Sequence, residues 1–286
     1  MINARTVGLL LSLLFLGCPA APLPEPGTRT QNDPATQRFN SFGFVRIMNT
    51  GRHVDCQVLQ TQSPCNDATI DALRPINVNM TGSSMVVAHA RGRSYILTAD
   101  HVCATPDLPD VSVFPEDRKV IMTQVAWDTR RVVIDIEGAM HDARPVITDE
   151  HNDICVMEVD GVWGSPVPLA PRPLGMGDRA YNIAAPSGIF DAGMVPIFVG
   201  IYSGTSSNIS NTQVMSSPYS EVPFSDLYTF PSRPGSSGSA VLNPAGEIVG
   251  VIHSTVATVP GLSISSTWEA VRDIFRRLNR FISDRR

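Results

Sequence analysis

The chain has no long apolar run. Its most hydrophobic stretch, Val7–Gly17 (VGLLLSLLFLG), is too short to cross a bilayer as a helix. Positive charge is not in excess: 22 Lys and Arg against 27 Asp and Glu leave a net charge of −5. No basic face for nucleic acid is therefore expected. Aromatic residues are 7% of the chain, too few for a platform that stacks single-stranded bases. HExxH, CxxC, GxGxxG and phosphate-loop motifs are absent, so no metal and no cofactor is expected. Extended helical periodicity is scarce too, and 23 prolines and 21 glycines in 286 residues point to a turn-rich β protein.

Arg5 followed by the apolar run has the profile of a signal peptide, expected over residues 1–17. Phe15-Leu16-Gly17-Cys18 resembles a bacterial lipoprotein signal, with Phe15 where that signal usually has leucine. The resemblance implies acylation of Cys18 and a membrane-anchored lipoprotein on the periplasmic or extracellular side. Ordinary cleavage near Ala20 and an uncleaved anchor are the alternatives, and all three export the chain. Residues 18–38 read as the anchor cysteine and a proline-rich tether. Export makes the other cysteines legible. Cys56, Cys65, Cys103 and Cys155 are an even set suited to disulfides, with three possible pairings. By chain entropy, Cys56–Cys65 is worth roughly 2.5 kcal/mol and Cys103–Cys155 roughly 4.

From about Phe39 onward, short apolar runs recur between turn signals: 42–48, 84–90, 94–99, 119–127, 131–138, 153–159, 179–185, 195–204, 239–243 and 247–256. β-Branched residues and interruptions by Gly, Pro, Asn and Asp make these strands, and their number suggests barrels or a sandwich. One helix is expected at the C-terminus. Ser266 and Glu269 form a capping box, and Trp268, Val271, Ile274, Phe275, Leu278 and Ile282 share one face. Arginines dominate the other face, near the negative end of the dipole.

Three segments carry candidate chemistry. Tyr95-Ile-Leu-Thr-Ala-Asp-His101 is a strand with a histidine at its exit, and Asn152-Asp153 opens an apolar strand. Pro234-Gly235-Ser236-Ser237-Gly238-Ser239 is a glycine-framed serine turn entering another strand. Each is weak alone, because glycine and serine usually mean a loop, and strand-end His and Asp usually serve structure. Together they supply a nucleophile, a base and an orienting acid. Nucleophilic serine needs a base within hydrogen-bond reach, and the base needs a carboxylate to fix its tautomer. Flanking glycines let the turn aim N–H groups at a developing oxyanion.

These segments resemble trypsin-like (chymotrypsin-fold) serine proteases, closest in motif to bacterial Deg-type proteases and glutamyl endopeptidases. Thr98-Ala99-Asp100-His101 matches the T-A-x-H motif, Asn152-Asp153 the acid, and Gly235–Ser239 the G-x-S-G-[GS] motif, in the order His, Asp, Ser. Gly177–Gly188 is similar to the first strand of the family's second barrel. The resemblance implies an all-β fold of two packed antiparallel β-barrels with a C-terminal α-helix, the barrels spanning 39–162 and 163–286. It implies a serine endopeptidase acting on protein or peptide, with Ser237 as nucleophile, His101 as general base and Asp153 as orienting acid. The N–H groups of Gly235 and Ser237 would form the oxyanion hole. Ser236 and Ser239 lack glycines on the correct sides, and His89, His141 and His151 lack the Thr-Ala lead. Cys103 and Cys155 each lie two residues past a member of this set, so a bridge between them would brace His101 against Asp153.

For specificity, Pro231 stands where trypsin has its selecting aspartate, which argues against basic side chains. Pro231, Ser232, His253 and Ser254 are the candidate pocket residues. His253 falls one residue late for the histidine of glutamyl endopeptidases, and a one-residue slip turns a strand side chain to the other face. Ser236, where zymogen-activated members carry an acid, implies that no such activation is needed. The alternatives are a non-catalytic lipoprotein of the same fold used for binding, and an adaptor acting through its tether or terminal helix.

Overall fold

The structure is a computed structural model that describes residues 34–58, 62–65, 70, 73, 75–104, 111–113, 120–207, 224–256 and 258–285. The expected signal segment, Cys18 and the tether up to residue 33 lie outside these.

Two β-barrels account for most of the described chain. The first contains β1 (Phe42–Val58), β2 (Ser63–Pro64), β3 (Ile76–Ala90), β4 (Arg93–Thr98), β5 (Val111–Val113), β6 (Val120–Asp135), β7 (Met140–Asp149) and β8 (Ile154–Asp160). Its sheet runs β2-β1-β3-β4-β8-β7-β6-β5, and pairing of β1 with β6 closes a six-stranded ring. Every pairing between these strands is antiparallel. A one-turn helix, α1 (Asp100–Cys103), follows β4. The second barrel contains β9 (Arg179–Ile183), β10 (Ile197–Ser206), β11 (Ser225–Tyr228), β12 (Ala240–Leu242), β13 (Ile248–Thr255) and β14 (Ser263–Ser266), closed in the order β10-β11-β14-β13-β12-β9. Helix α2 (Trp268–Ser283) ends the fold.

Apolar alternation sets what fills each barrel. Val45, Ile47, Val86, Ile96, Val133 and Met157 pack inside the first, and Tyr228, Phe230, Val241, Val249 and Ile252 inside the second. A third cluster joins them: Phe42, Met85, Leu97 and Val156 of one barrel meet Ile183, Leu242 and Val251 of the other, with Val271, Ile274 and Leu278 of α2. Burying this shared surface holds the barrels as one unit, so side chains from both can meet in the cleft between them.

Three expectations need correction. The runs 119–127 and 131–138 belong to one strand, β6, because its second half pairs without a break onto β1. His101 sits in α1 and not on the end of a strand. The α2 N-cap is Thr267, whose hydroxyl accepts from Ala270 N at 3.4 Å. Ser266 cannot cap because it is the last residue of β14, and its hydroxyl donates to Asn152 O at 3.0 Å. Both disulfides, Cys56–Cys65 and Cys103–Cys155, are formed, with Cα–Cα separations of 5.3 and 6.4 Å.

Candidate active site

Asp153 comes from a tight backbone turn. Residues Glu150–Asn152 make a single 3-10 turn, which Asp149 caps by accepting from Asn152 N at 3.2 Å. The turn ends on Asp153 in the left-handed region, φ 52° and ψ 50°. Among residues with a Cβ, Asp and Asn adopt that conformation most readily. The carboxylate is wholly buried and both oxygens face α1. Oδ1 accepts the His101 backbone N–H at 2.9 Å, and Oδ2 lies 2.7 Å from His101 Nδ1. Burial pushes the Asp153 carboxyl up, but the His101 hydrogen bonds and the charge interactions with His101 and His253 outweigh it and hold it below the usual carboxylate value. An acceptor at Nδ1 favours the tautomer with the proton there, which leaves Nε2 as the basic nitrogen.

Helix α1 is fixed from three sides. Cys103 is bonded to Cys155, Arg131 Nε donates to Cys103 O at 2.8 Å, and Asp153 holds His101. Asp100, just before the histidine, is 5% exposed. Burial, with the charges of Asp153 and Glu150, raises its carboxyl to about 6.

The serine turn is shaped by its glycines. Gly235 and Gly238 have φ of +97° and +86°, where side chains are strained. A Cβ on Gly238 would run into Thr98 Oγ1 and the Ser83 carbonyl, and one on Gly235 into the Ala185 carbonyl. Ser83 anchors the turn to the first barrel: its hydroxyl donates to Gly235 O at 2.8 Å and its N–H to Ser237 O at 2.8 Å. Ser236 N donates to Arg233 O, Ser187 N to Pro234 O, and Gly238 N to Ile252 O, at 2.8, 2.6 and 2.7 Å. Among the described residues, no acceptor takes the N–H of Gly235 or Ser237.

Ser237 and His101 line one cavity of about 290 Å³ between the barrels. No hydrogen bond joins the Ser237 hydroxyl to His101 among the described residues; such bonds are often long without substrate and tighten when it binds. The remaining walls are Asn79–Thr81 of β3, Val102 of α1, Ser232–Ser236, and Ile252–Thr255 of β13. Of the candidate specificity residues, Ser232, His253 and Ser254 line the cavity. Pro231 does not, and its side chain is exposed. The pairing of β13 with β14 shifts register between Ile252 and Ser254, so His253 sits on a bulge. Its Nδ1 is 4.0 Å from Asp153 Oδ2, and burial pushes its pKa down to about 4 against the pull of Asp153. His141 is engaged elsewhere, 2.9 Å from Asp135. Ser83 and Asp100 were not readable as site residues: one is a serine within a strand, and the other fills the variable place of its motif.

Two barrels with a histidine–carboxylate pair and a glycine-framed serine in the cleft between them define the chymotrypsin class of serine endopeptidases. Residues 82–251 match the model of the trypsin-like peptidase domain, and the chain belongs to that family. No curated protein sequence matches it. Among solved structures, it is similar to Rv3671c of M. tuberculosis in an inactive form, at 14% identity and TM-score 0.55, covering 91% of this chain and 96% of that one. It is also similar to the HtrA-type protease AlgW with a decapeptide (14%, TM-score 0.57, 86% and 66%) and to the serine endoprotease of Yersinia pestis (17%, TM-score 0.51, 87% and 66%). Identities this low show a shared fold. The chain spans about two thirds of the AlgW and Yersinia chains.

Proposed function

We propose that the protein is an exported, lipid-anchored serine endopeptidase that cleaves peptide bonds through an acyl-enzyme on Ser237. The observation that carries the reading is the two-point grip of Asp153 on His101, opposite Ser237 in one cavity. His101 Nε2 takes the Ser237 proton as the hydroxyl oxygen attacks the scissile carbonyl, and then gives it to the leaving amine. Asp153 keeps Nδ1 protonated and stabilises the imidazolium that forms. The N–H groups of Gly235 and Ser237 receive the oxyanion, each worth roughly 3–4 kcal/mol in the transition state. A water activated by His101 then hydrolyses the acyl-enzyme. Substrate is a polypeptide strand in the cleft, a reading supported by the peptide found with AlgW.

Export and anchoring rest on the apolar segment 7–17 and on Cys18. Residues 18–38 then tether the barrels of 39–162 and 163–286 to the membrane.

Fluorophosphonate labelling tests the catalytic reading. Stoichiometric labelling that disappears in Ser237→Ala is expected, and a folded protein without a Ser237-dependent adduct would overturn it. Incorporation of labelled palmitate, lost in Cys18→Ala, tests the anchor.

A further inference from the structure

The cavity wall on the first barrel is the part of β3 that continues past β4. β3 pairs with β1 without a register shift from Met85 to Ile76, but β4 pairs with it only from Met85 to Ala90. Among the described residues, one edge of β3 between Ile76 and Gly82 therefore has no strand beside it. Ladder groups alternate sides along a strand, so one bond fixes the phase of the rest. Ser83 is that marker: its N–H points away from β1 and donates to Ser237 O at 2.8 Å. Counting back by two, Thr81, Asn79 and Asn77 turn their N–H and C=O groups to the same open side. Val78 faces β1, where Asn49 Nδ2 reaches its carbonyl at 3.2 Å. No described residue takes the backbone groups of Asn77 or Asn79 on that side. No charge and no proline lies between Ile76 and Thr81, although these are the usual devices that block an open edge.

We propose that the edge of β3 from Ile76 to Met80 is an exosite that takes up an extended segment of the polypeptide substrate as an added strand, through the backbone groups of Asn79 and Asn77. The inference rests on the peptidase reading above. The occupant is the chain being cleaved, because Asn79 and Thr81 line the same cavity as Ser237 and continue directly into this edge. β13 lines the other side of the serine, so the exosite serves one side of the scissile bond. Backbone pairing tolerates many side chains, which makes the exosite select for extended, unfolded segments more than for a sequence.

The test is kcat/KM for peptides that share one cleavage sequence and are lengthened stepwise at either end, with a short ester substrate and fluorophosphonate labelling as reporters of Ser237. Lengthening at one end should raise kcat/KM on the order of tenfold, as expected for two or more new backbone hydrogen bonds. Asn77→Pro removes an outward N–H without touching the ladder to β1, as edge strands permit, and should cut the long-to-short ratio severalfold. N-methylation of the added residues should do the same in the unaltered protein, which decides the matter if the proline variant misfolds. A flat length series, or a gain that survives N-methylation, overturns the exosite while ester turnover leaves the peptidase standing. Absence of both ester turnover and labelling overturns both.

Discussion

Asp153 holds His101 at two points, the backbone N–H at 2.9 Å and Nδ1 at 2.7 Å. One carboxylate therefore sets where α1 lies and which ring nitrogen carries the proton. Asp153→Asn keeps the shape but supplies an amide where an anion stood. A loss of roughly 10⁴-fold in kcat is expected, as for tautomer reversal in this class of site, with fluorophosphonate labelling slowed in parallel. A folded Asp153→Asn protein with near-normal kcat would remove Asp153 from the mechanism.

The Cys103–Cys155 bond ties α1 to the strand that begins one residue after Asp153. Closing this loop is worth about 4 kcal/mol by chain entropy. Replacing both cysteines by serine should lower the melting temperature. Because the bond also braces His101 against Asp153, kcat should fall well below the melting range while KM changes little. If only the melting temperature moves, the bond serves stability alone.

How much of this was legible depends on what each residue had to do. The serine turn was readable because Gly235 and Gly238 occupy left-handed conformations that glycine serves best. The strands with apolar runs were readable because their inner faces are buried. β7, β11 and β14 were missed because their local sequences carry no apolar run, and only pairing with neighbours makes them strands. β7 (MHDARPVITD) alternates polar residues on a largely exposed strand. β11 (SDLY) and β14 (SISS) are short, buried strands whose polar side chains are satisfied inside the second barrel, Asp226 by Thr205 and Ser263 by Phe230 O. Ser83 gave no signal, since its role is to bond a turn 152 positions away. The bulge at His253 depends on the register with β14, which a local pattern does not contain.

Asp100 adds an unusual pH dependence. Its pKa is raised from 3.8 to about 6, chiefly by burial. The fold therefore prefers the neutral acid: its contribution is complete below 3.8 and is lost as pH rises through about 6. The shift corresponds to about 3 kcal/mol once the group is charged. Asp100→Asn should be more stable than the parent at pH 8, with the gap closing towards pH 4. A stability difference that does not vary with pH would assign Asp100 no titration in this range.

His253 titrates over nearly the same range with the opposite sign. Burial lowers its pKa from 6.5 to about 4, so the fold prefers the neutral ring. Its contribution is complete above 6.5 and is lost as pH falls towards about 4, again about 3 kcal/mol in all. Between pH 4 and 6.5 the two groups offset each other, and the parent should show a shallow stability profile despite two strongly shifted residues. Each replacement unmasks the other: Asp100→Asn should lose stability steeply on acidification, and His253→Phe should lose it as pH rises. The double variant should return to a shallow profile. Melting temperatures of the four proteins at pH 4.5, 5.5, 6.5 and 8 decide this, and parallel profiles for all four would refute the opposition. Both groups act on Asp153, His253 with its Nδ1 4.0 Å from Oδ2 and Asp100 through the repulsion of like charges. The acid facing His101 is therefore coupled to one group that resists negative charge and to one that resists positive charge.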